Sequence, residues 1–440
     1  MRPLVIETDV VVLGLGAGGE HAAHRLAEAG VDVVGVEREL VGGECPFWGC
    51  TPSKLLVHAA QTGQGWARAA ERIREANHGW SDHTHAGPLE EAGVRLLRGH
   101  GRLLGPGRVE VATDAGDVSV AARRGILLGT GTAPAVPVVE GLAGTPYWTN
   151  RDVVRQREAP ASLLVLGGGA IGCELAQAAA RLGSRVTLVE VSDRLLAAEE
   201  PEASEVVAEA LAAAGVAVHV GAEVARVTHD GRFTLAVGEE RLEADHLLVA
   251  TGRRSNLSGL GLESVGIDPD ADHVPTDERM RAAERLWAVG DITGHGDYTH
   301  LALSQAKVAV RDLLGRDGPW ADHHAVSRVT FTDPEVGAVG RTEQQARAAG
   351  VHVAVGRADV PRSSRGWIAE AAGVVKLVAD ADRQVLVGGT VVAPYGGEVV
   401  GLLALAVHAE VPLATLRGMH FAYPTFHRAV AAALDDLARG

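Results

Sequence analysis

Val12-Leu-Gly-Leu-Gly-Ala-Gly-Gly19 determines the architecture, because it returns later in the chain as Val165-Leu-Gly-Gly-Gly-Ala-Ile-Gly172. An apolar run precedes each copy and an alanine-rich run follows it, a pattern that predicts a strand, a tight turn and a helix. Gly30 and Gly183 are expected to end the two helices, since glycine is favoured just beyond a helix C-terminus. The chain therefore carries one β-α-β unit twice.

The glycine spacing of both copies matches the fingerprint of dinucleotide-binding folds. There the first glycine makes the turn, the second lets the backbone approach a pyrophosphate, and the third lets the helix pack on the strand. A glutamate ends the next predicted strand, where it can accept hydrogen bonds from ribose hydroxyls. One fingerprint is weak, because glycines before a helix also serve plain turns, but two complete copies indicate two different dinucleotides. The residues are Gly14, Gly16, Gly19 and Glu37 in the first copy, and Gly167, Gly169, Ile171, Gly172 and Glu190 in the second.

Three further strand ends suit a bound nucleotide. Gly129-Thr-Gly131 and Ala250-Thr-Gly252 mirror each other, and Gly290-Asp291 offers a carboxylate to a polyol hydroxyl, with a plain Gly-Asp turn as the alternative. From about Asp322 the pattern changes to alternating strands and a helix without a fingerprint. This change predicts a separate α+β domain, used for packing or as an interface.

Size, charge and cysteine content limit the classes of function. The chain has 440 residues, 55 of them glycine, with 46% hydrophobic residues and a net charge of −15. These values favour a multidomain α/β protein and disfavour nucleic acid or acidic lipid as partners. The first apolar run is too short for a signal peptide and no later run approaches the ~20 residues of a membrane span, so a cytoplasmic location is expected. No metal site is predicted, because the three cysteines lack the further ligands of a zinc site.

Cys45 and Cys50, within Gly42-Gly-Glu-Cys-Pro-Phe-Trp-Gly-Cys-Thr-Pro-Ser-Lys54, are interpreted as a redox pair. Thr51 is predicted to cap a helix that starts at the following proline. Cys50 would then lie at a helix N-terminus, where the helix dipole and Lys54 favour a thiolate. The alternative is a pair of buried structural thiols.

Together, these motifs make the sequence resemble the class I pyridine nucleotide-disulfide oxidoreductases, which include glutathione reductase, dihydrolipoyl dehydrogenase, mercuric reductase and soluble transhydrogenase. The resemblance covers essentially the whole chain and includes Glu174 and Phe331-Thr-Asp-Pro-Glu335. It implies an α/β fold with two Rossmann-like dinucleotide-binding domains, a C-terminal α+β dimerisation domain and a homodimer. The implied boundaries are 1–145 and 273–321 for the FAD-binding domain, 146–272 for the NAD(P)H-binding domain and 322–440 for the dimerisation domain.

By this resemblance, Cys45 would exchange with substrate and Cys50 would contact the flavin. Lys54 and Glu174 would pair beside the flavin. FAD contacts are further implied for Gly43, Thr130, Gly131, Gly290, Asp291, Thr299 and Ala302. The helix that begins after Thr299 would direct its positive end at the flavin pyrimidine.

The second site is expected to take NADH, because Glu190 can bind a free ribose hydroxyl but would repel a 2′-phosphate. Arg194 nearby keeps NADPH open as the alternative. Gly252 would line this site, and Ala170 replaces a tyrosine that covers the nicotinamide pocket in some members.

The main departure from the family pattern concerns the acid-base group. Members that reduce disulfides carry His-Pro-Thr-x-x-Glu near the C-terminus, whose histidine serves the interchange thiol across the dimer. Here the run is Tyr423-Pro-Thr-Phe-His-Arg428, and a phenol, with a reference pKa of about 10, is a poor base at neutral pH. His420 and His427 are candidate replacements, although a histidine more often has an ordinary structural role. Mercury reduction is disfavoured, because the chain ends Leu-Ala-Arg-Gly440 without the paired cysteines of mercuric reductase.

We therefore expect a flavoenzyme that passes hydride from NADH to FAD, and electrons onward to the cysteine pair or to an external acceptor. The alternatives are a quinone reductase, diaphorase or transhydrogenase with bystander cysteines, and a redox sensor that does not turn over. Phe47 and Trp48 either shield the disulfide or only pack. The catalytic candidates are Cys45, Cys50, Lys54, Glu174, Tyr423 and His427.

Overall fold

The computed structural model describes residues 4–439; residues 1–3 and 440, which the predicted outer domain boundaries include, lie outside the described part. The chain divides into two compact units. The first unit holds the residues up to Pro52, Arg72–Ala135 and Arg253–Asp322, and the second holds Ser53–Glu71, Val136–Gly252 and the residues from His323 onward. Within residues 4–439, no helix is both long enough and apolar enough to cross a membrane.

A mixed sheet forms the centre of the first unit. Four successive pairings along its path are parallel, as a β-α-β unit with a crossover helix requires. Its strands, in spatial order, are Arg281–Ala283, Leu286–Ala288, Gly116–Leu128, Leu4–Leu13, Val33–Glu37 and Arg95–Arg98. A hairpin of His100–Gly105 and Arg108–Thr113 pairs with the long strand Gly116–Leu128.

The strand Leu4–Leu13 divides its side chains between two apolar clusters on opposite faces of this sheet. Val12 packs in one cluster with Leu26 of the first fingerprint helix, and Val11 packs in the other with Leu128. This alternation follows from the two-residue period of a strand. The helices of this unit are Ala17–Glu28, Glu44–Phe47, His83–Glu91 and Thr299–Leu313, with short 3-10 turns at Leu262–Val265 and Asp291–Thr293. Two more helices each contain residues of both units: Cys50–Thr62 and Trp66–Ala76.

The chain leaves and re-enters the first unit along a two-stranded antiparallel ladder. Thr132–Pro134 pairs with Arg253–Ser255, with Arg254 opposite Ala133. Leu257 and Leu262, further along, pack in the same apolar cluster as Val11. Because these residues belong to the core of the first unit, the chain returns to that unit before residue 273. The domain boundaries stay a prediction.

A parallel sheet in the second unit repeats the arrangement of the first. Its strands, in order, are Ala217–His219, Arg185–Val189, Ser162–Leu166 and His246–Val249. Helices Ala170–Arg181 and Pro201–Ala213 connect them, and Gly183 follows the first of these helices with φ +105°, as Gly30 follows Ala17–Glu28 with φ +78°. The predicted helix ends are therefore confirmed. Strands Val224–His229, Phe233–Val237 and Glu240–Ala244 form a separate antiparallel sheet.

The C-terminal part of the second unit is an antiparallel sheet covered by helices. The strand order is Ser327–Thr330, Glu335–Gly340, Val385–Ala393, Val374–Asp380 and Val353–Asp359. The helices are Glu343–Ala348, Ser364–Ile368, Gly396–His408, Leu413–Arg417 and His427–Leu437, and a short helix, Asn150–Val153, precedes the parallel sheet. The predicted change to α+β character is confirmed.

A buried charge cluster joins this C-terminal sheet to the parallel-sheet region of the same unit. Lys376, only 5% exposed, lies 2.9 Å from Glu200, 3.0 Å from Glu202 and 2.9 Å from Glu343. Burial alone would lower the pKa of Lys376, but the three carboxylates outweigh it and hold that pKa above its ordinary value.

Candidate active site

The first glycine turn brings backbone segments too close together for side chains. Gly14 has φ +84°, and a Cβ there would lie 2.5 Å from the carbonyl oxygen of Gly129. A Cβ on Gly19 would lie 1.9 Å from the Gly14 oxygen, and one on Gly43 would lie 2.8 Å from the Cα of Gly16. Among the described residues, no side chain caps the helix after Gly16. Its first N–H groups are therefore suited to a phosphate.

The second glycine turn is built in the same way. Gly167 has φ +112°, with a hypothetical Cβ 2.4 Å from the oxygen of Ala250, and a Cβ on Gly172 would lie 1.9 Å from the Gly167 oxygen. The helix after Gly169 again has no capping side chain in the described chain, and Ile171 is half-buried in its first turn. The two turns therefore have the same construction, and the helix after each of them suits a phosphate.

Glu37 and Thr130 lie at the first turn. The Glu37 carboxylate accepts hydrogen bonds from the backbone N–H of Leu15 at 2.7 Å and of Glu39 at 2.8 Å, and burial raises its pKa. The Thr130 hydroxyl oxygen is buried and has no hydrogen-bond partner within residues 4–439. A buried polar atom of this kind is a group that a bound ligand would satisfy. With Gly131 at φ +62° next in the chain, this turn fits a dinucleotide.

Glu190 is held at the second turn by two backbone donors. Its carboxylate accepts from Gly168 at 2.5 Å and from Ser192 at 2.7 Å. Burial would raise its pKa, but hydrogen bonds from Ser192 and Gly168 lower it on balance, so the side chain is charged at neutral pH. Arg194 donates to the carbonyl oxygens of Ala197 at 2.7 Å and of Glu199 at 3.4 Å, and so serves its own loop. Gly252, with φ +125°, follows the neighbouring strand.

Asp291 is part of a polar network that sequence analysis did not predict. Its carboxylate accepts from the Thr132 hydroxyl at 2.7 Å, and that hydroxyl accepts from Arg253 at 2.7 Å. Arg253 also lies 3.3 Å from Glu44, the neighbour of the first cysteine. Burial raises the pKa of Asp291. The one available sequence signal was that Arg253 directly follows the glycine turn that ends at Gly252.

Cys45 and Cys50 form a disulfide with their Cα atoms 4.7 Å apart. Cys50 is exposed and begins the helix Cys50–Thr62, which confirms its place at a helix N-terminus. The predicted cap at Thr51 is wrong, because the helix starts one residue earlier. Proline is tolerated throughout a first turn, whose N–H groups have no intrahelical partner, so Pro52 did not mark the first helical residue.

A second helix begins at the same sulfur. Cys50 Sγ lies 3.6 Å from the hydroxyl oxygen of Thr299, the first residue of the helix Thr299–Leu313. Ala302 is buried in the first turn of this helix, against Gly290. Two helix N-termini near one sulfur favour its thiolate form.

The two aromatic residues between the cysteines pack inward. Phe47 is 1% exposed and Trp48 is 5% exposed. The Trp48 ring stacks on Trp80 with centroids 5.9 Å apart, and the Phe47 ring meets His85 edge-on at 5.7 Å. The packing alternative is therefore the one that the structure shows.

In the second unit, the predicted pair of Lys54 and Glu174 is present. Lys54 Nζ lies 2.8 Å from a Glu174 oxygen, and Glu174 is 5% exposed. The other Glu174 oxygen accepts from the backbone N–H of Phe331 at 2.8 Å, and Lys54 Nζ lies 4.6 Å from the centre of the Phe331 ring. Glu174 is thus anchored from two sides.

The remaining candidates also lie in the second unit. Tyr423 is 72% exposed, His420 is exposed, and His427 is half-buried at the start of the helix His427–Leu437. Cys173 is fully buried, donates to the Gly168 carbonyl at 3.2 Å and has its pKa raised by burial. Its thiol is therefore protonated and shielded. The structure groups Cys45, Cys50, Asp291 and Thr299 in the first unit, and Lys54, Glu174, Tyr423 and His427 in the second.

Comparison with known proteins identifies the family of this chain. Residues 8–312 match the family model described as pyridine nucleotide-disulphide oxidoreductase, and residues 326–434 match the dimerisation domain of the same family. The chain belongs to the pyridine nucleotide-disulphide oxidoreductases. The expected fold class is thereby confirmed, FAD and NAD(P)H are the cofactors of this family of enzymes, and the dimerisation domain supports a homodimer.

Individual relatives in this family match over nearly their whole length. Dihydrolipoyl dehydrogenase of Chlorobaculum tepidum is 33% identical, covering 98% of this chain and 97% of its own. Mercuric reductase of Streptomyces lividans is 34% identical, covering 96% and 94%. Among solved structures, a Cu(II) complex of the HOCl-induced flavoprotein disulfide reductase RclA of Escherichia coli has a TM-score of 0.88 at 28% identity, covering 98% of each chain.

Proposed function

We propose that this enzyme takes hydride from NADH and delivers electrons to the Cys45–Cys50 disulfide or directly to an external acceptor, and that quinones and dyes are better acceptors than small disulfides. The observation that carries the proposal is the disulfide whose Cys50 sulfur lies beside the first residues of two helices. Reduction would be NADH + H⁺ + disulfide → NAD⁺ + two thiols, one of which ionises.

The described residues fit FAD at the first turn and NADH at the second. When bound, FAD would supply the two-electron relay between nicotinamide and disulfide. Gly14, Gly16 and Gly19 would admit the pyrophosphate, and Glu37 and Asp291 would hold hydroxyls of the ribose and ribityl chain. By the family resemblance, Lys54, held by Glu174, would supply a positive charge to the flavin during its reduction.

The second site supports NADH as the donor. Glu190 is charged and fixed by two backbone N–H groups, so it suits a ribose hydroxyl and opposes a 2′-phosphate. One nitrogen of the neighbouring Arg194, Nη2, donates to two carbonyl oxygens of its own loop. It therefore gives little support to NADPH.

The acceptor preference follows from the missing acid-base pair. Attack on a substrate disulfide releases a thiolate that needs a proton, and positioned acid-base groups contribute roughly 10²- to 10⁴-fold. Tyr423 and Arg428 stand where disulfide-reducing members have His and Glu, leaving His427 and His420 as substitutes. A quinone can take two electrons and two protons without meeting Cys45, so it escapes this deficit.

An anaerobic NADH titration of the purified protein tests the proposal. The wild type should take up about two NADH equivalents: the first reduces the disulfide and develops a long-wavelength band from a Cys50 thiolate beside the oxidised flavin, and the second reduces the flavin and removes that band. Cys45→Ser should take up about one equivalent, and Cys173→Ser, which removes only the buried thiol, should match the wild type.

Two other results would point elsewhere. Uptake of one equivalent by the wild type that bleaches the flavin without a long-wavelength band would favour the quinone reductase, diaphorase or transhydrogenase alternative, with bystander cysteines. Failure of NADH to bleach the flavin within seconds would favour a redox sensor. A cytoplasmic location stays a prediction from the sequence alone.

A further inference from the structure

The segment Asn77–His85, which we name the brace, packs against the loop between the two cysteines. Trp80 stacks on Trp48 with the ring planes 21° apart, and His85 meets Phe47 at 61°. Trp48 and Phe47 are the largest residues between the cysteines, and both are buried. Two of the four residues that separate the cysteines are thus held by one segment remote in sequence.

The brace is itself tied to the first glycine turn and the sheet. His85 Nδ1 lies 3.1 Å from Glu20 on the fingerprint helix, and a Cβ on Gly42 would lie 3.0 Å from the His85 ring. The Asp82 carboxylate accepts from the Val41 backbone at 2.8 Å and from Arg98 at 2.7 Å. The brace therefore cannot shift without disturbing contacts on three elements.

The backbone of the brace is strained at the residue that makes the stack. His78, Gly79 and Trp80 have φ of +49°, +68° and +64°, and two of these three residues carry a Cβ. Such conformations persist only where the surroundings enforce them. Here the backbone N–H of Trp80 donates to Asn77 at 3.2 Å, and Asn77 is 2% exposed. The strained turn points the Trp80 ring at Trp48.

We propose that Trp80 is a positioning residue for the Cys45–Cys50 disulfide, acting through Trp48. The inference rests on the proposed redox role of that disulfide. A disulfide closes only when the two Cα atoms are held within about 4.4–6.8 Å, and a loop already held there gives its thiols a high effective concentration. Without the Trp80 ring, the two Cα atoms of the reduced loop can move apart, so that forming the disulfide again costs more conformational entropy.

The experiment measures disulfide exchange with dithiothreitol in the FAD-loaded enzyme, without NADH. Protein disulfide and dithiothreitol exchange to protein dithiol and cyclic oxidised dithiothreitol, so that one S–S bond breaks and one forms, and the two electrons and two protons that dithiothreitol gives up pass to the protein sulfurs. Alkylation of free thiols gives the equilibrium constant. For Trp80→Ala we expect the constant for closing Cys45–Cys50 to fall about three- to tenfold, the range that an aromatic pair contributes, a tenfold change being about 30 mV.

Two variants separate positioning from general structure. Trp80→Phe keeps an aromatic ring and should stay within about twofold of the wild type. Trp320→Ala is the control, because Trp320 is also half-buried but packs against Arg279. This variant should leave the exchange constant unchanged. FAD content and quinone reduction should be unaffected in every variant.

An exchange constant of folded Trp80→Ala within twofold of the wild type would overturn the inference. If Trp80→Ala does not fold, Trp80→Leu replaces it, and equal constants for the Leu and Phe variants would overturn it as well. The proposed redox role of the disulfide fails separately: a disulfide that NADH never reduces would refute that role, while the dithiothreitol constants would still test the brace.

Discussion

Replacing Glu190 should convert the enzyme from a strong NADH preference to a weak one. The charged carboxylate is fixed by the Gly168 and Ser192 N–H groups, so it cannot turn away from a 2′-phosphate. Two unit charges about 4 Å apart repel by about 1 kcal/mol in water and about 4 kcal/mol near a protein surface, which is roughly 5- to 900-fold in binding. A hydrogen bond from a ribose hydroxyl to a charged group is worth about 1.5–3 kcal/mol, or roughly 10- to 150-fold. Loss of the repulsion and of the hydrogen bond together should lower the NADH-to-NADPH ratio of kcat/KM by about 50-fold or more.

The assay is steady-state reduction of a quinone with each nucleotide, comparing Glu190→Ala with Glu190→Gln. The Gln variant keeps an acceptor for one backbone donor but removes the charge. Its kcat/KM for NADPH should therefore rise, and its kcat/KM for NADH should fall less than that of Glu190→Ala. Glu37→Gln, the equivalent change at the first turn, is the matched control and should leave the ratio unchanged. A wild type with the higher kcat/KM for NADPH, or a Gln variant whose ratio stays within threefold of the wild type, would refute this account of the second site.

Three further predictions concern the acceptor and stability. Cys45→Ser should keep quinone reduction within about twofold and lose reduction of lipoamide; loss of both activities would show that quinones also receive electrons through Cys45. Tyr423→His combined with Arg428→Glu restores the family's acid-base pair and should raise lipoamide turnover by about 10²-fold, and no rise would show that another step limits. Lys376→Met leaves buried carboxylates without their cation and should lower the free energy of unfolding by about 3–5 kcal/mol, against less than about 0.5 kcal/mol for the exposed Lys307→Met. Because hydrogen bonding to Lys376 holds the pKa of Glu343 below its ordinary 4.5, this contribution is present above that pH and lost as pH falls through the lower folded value. Denaturant unfolding at several pH values checks it, and a difference independent of pH would contradict the assignment.

The sequence predicted those parts of the site that local patterns specify. Both glycine turns and the strand ending at Glu37 follow from glycine spacing and apolar period, which act over a few residues, whereas the second strand ends at Val189, one residue before the predicted Glu190. The helix that starts at Thr299 was implied by the family resemblance alone. The N-terminus of the helix Cys50–Thr62, predicted at Pro52, lies two residues earlier at Cys50, because a first-turn proline is compatible with more than one starting point.

Contacts between distant segments could not be predicted. Thr132 donates to Asp291 across 159 residues and accepts from Arg253 across 121 residues, and nothing in the local sequence marks these residues as partners. Trp80 was likewise one tryptophan among seven until the structure placed it on Trp48. Such pairings depend on how the sheets bring chain segments together, which a single sequence does not specify.

The ladder of Thr132–Pro134 with Arg253–Ser255 makes residues 136–252 an exchangeable cassette. Because the two ends of that segment are hydrogen-bonded side by side within the first unit, the intervening chain can be replaced without opening the first sheet. An incoming cassette must reproduce contacts such as those of Glu174 with Lys54 and Phe331. It must also reproduce those of Glu199 and Glu200 with Arg328 and Lys376 of the C-terminal region. Replacing this one segment, in evolution or by design, can therefore change the electron donor of the enzyme without replacing the disulfide or the helices that begin beside it.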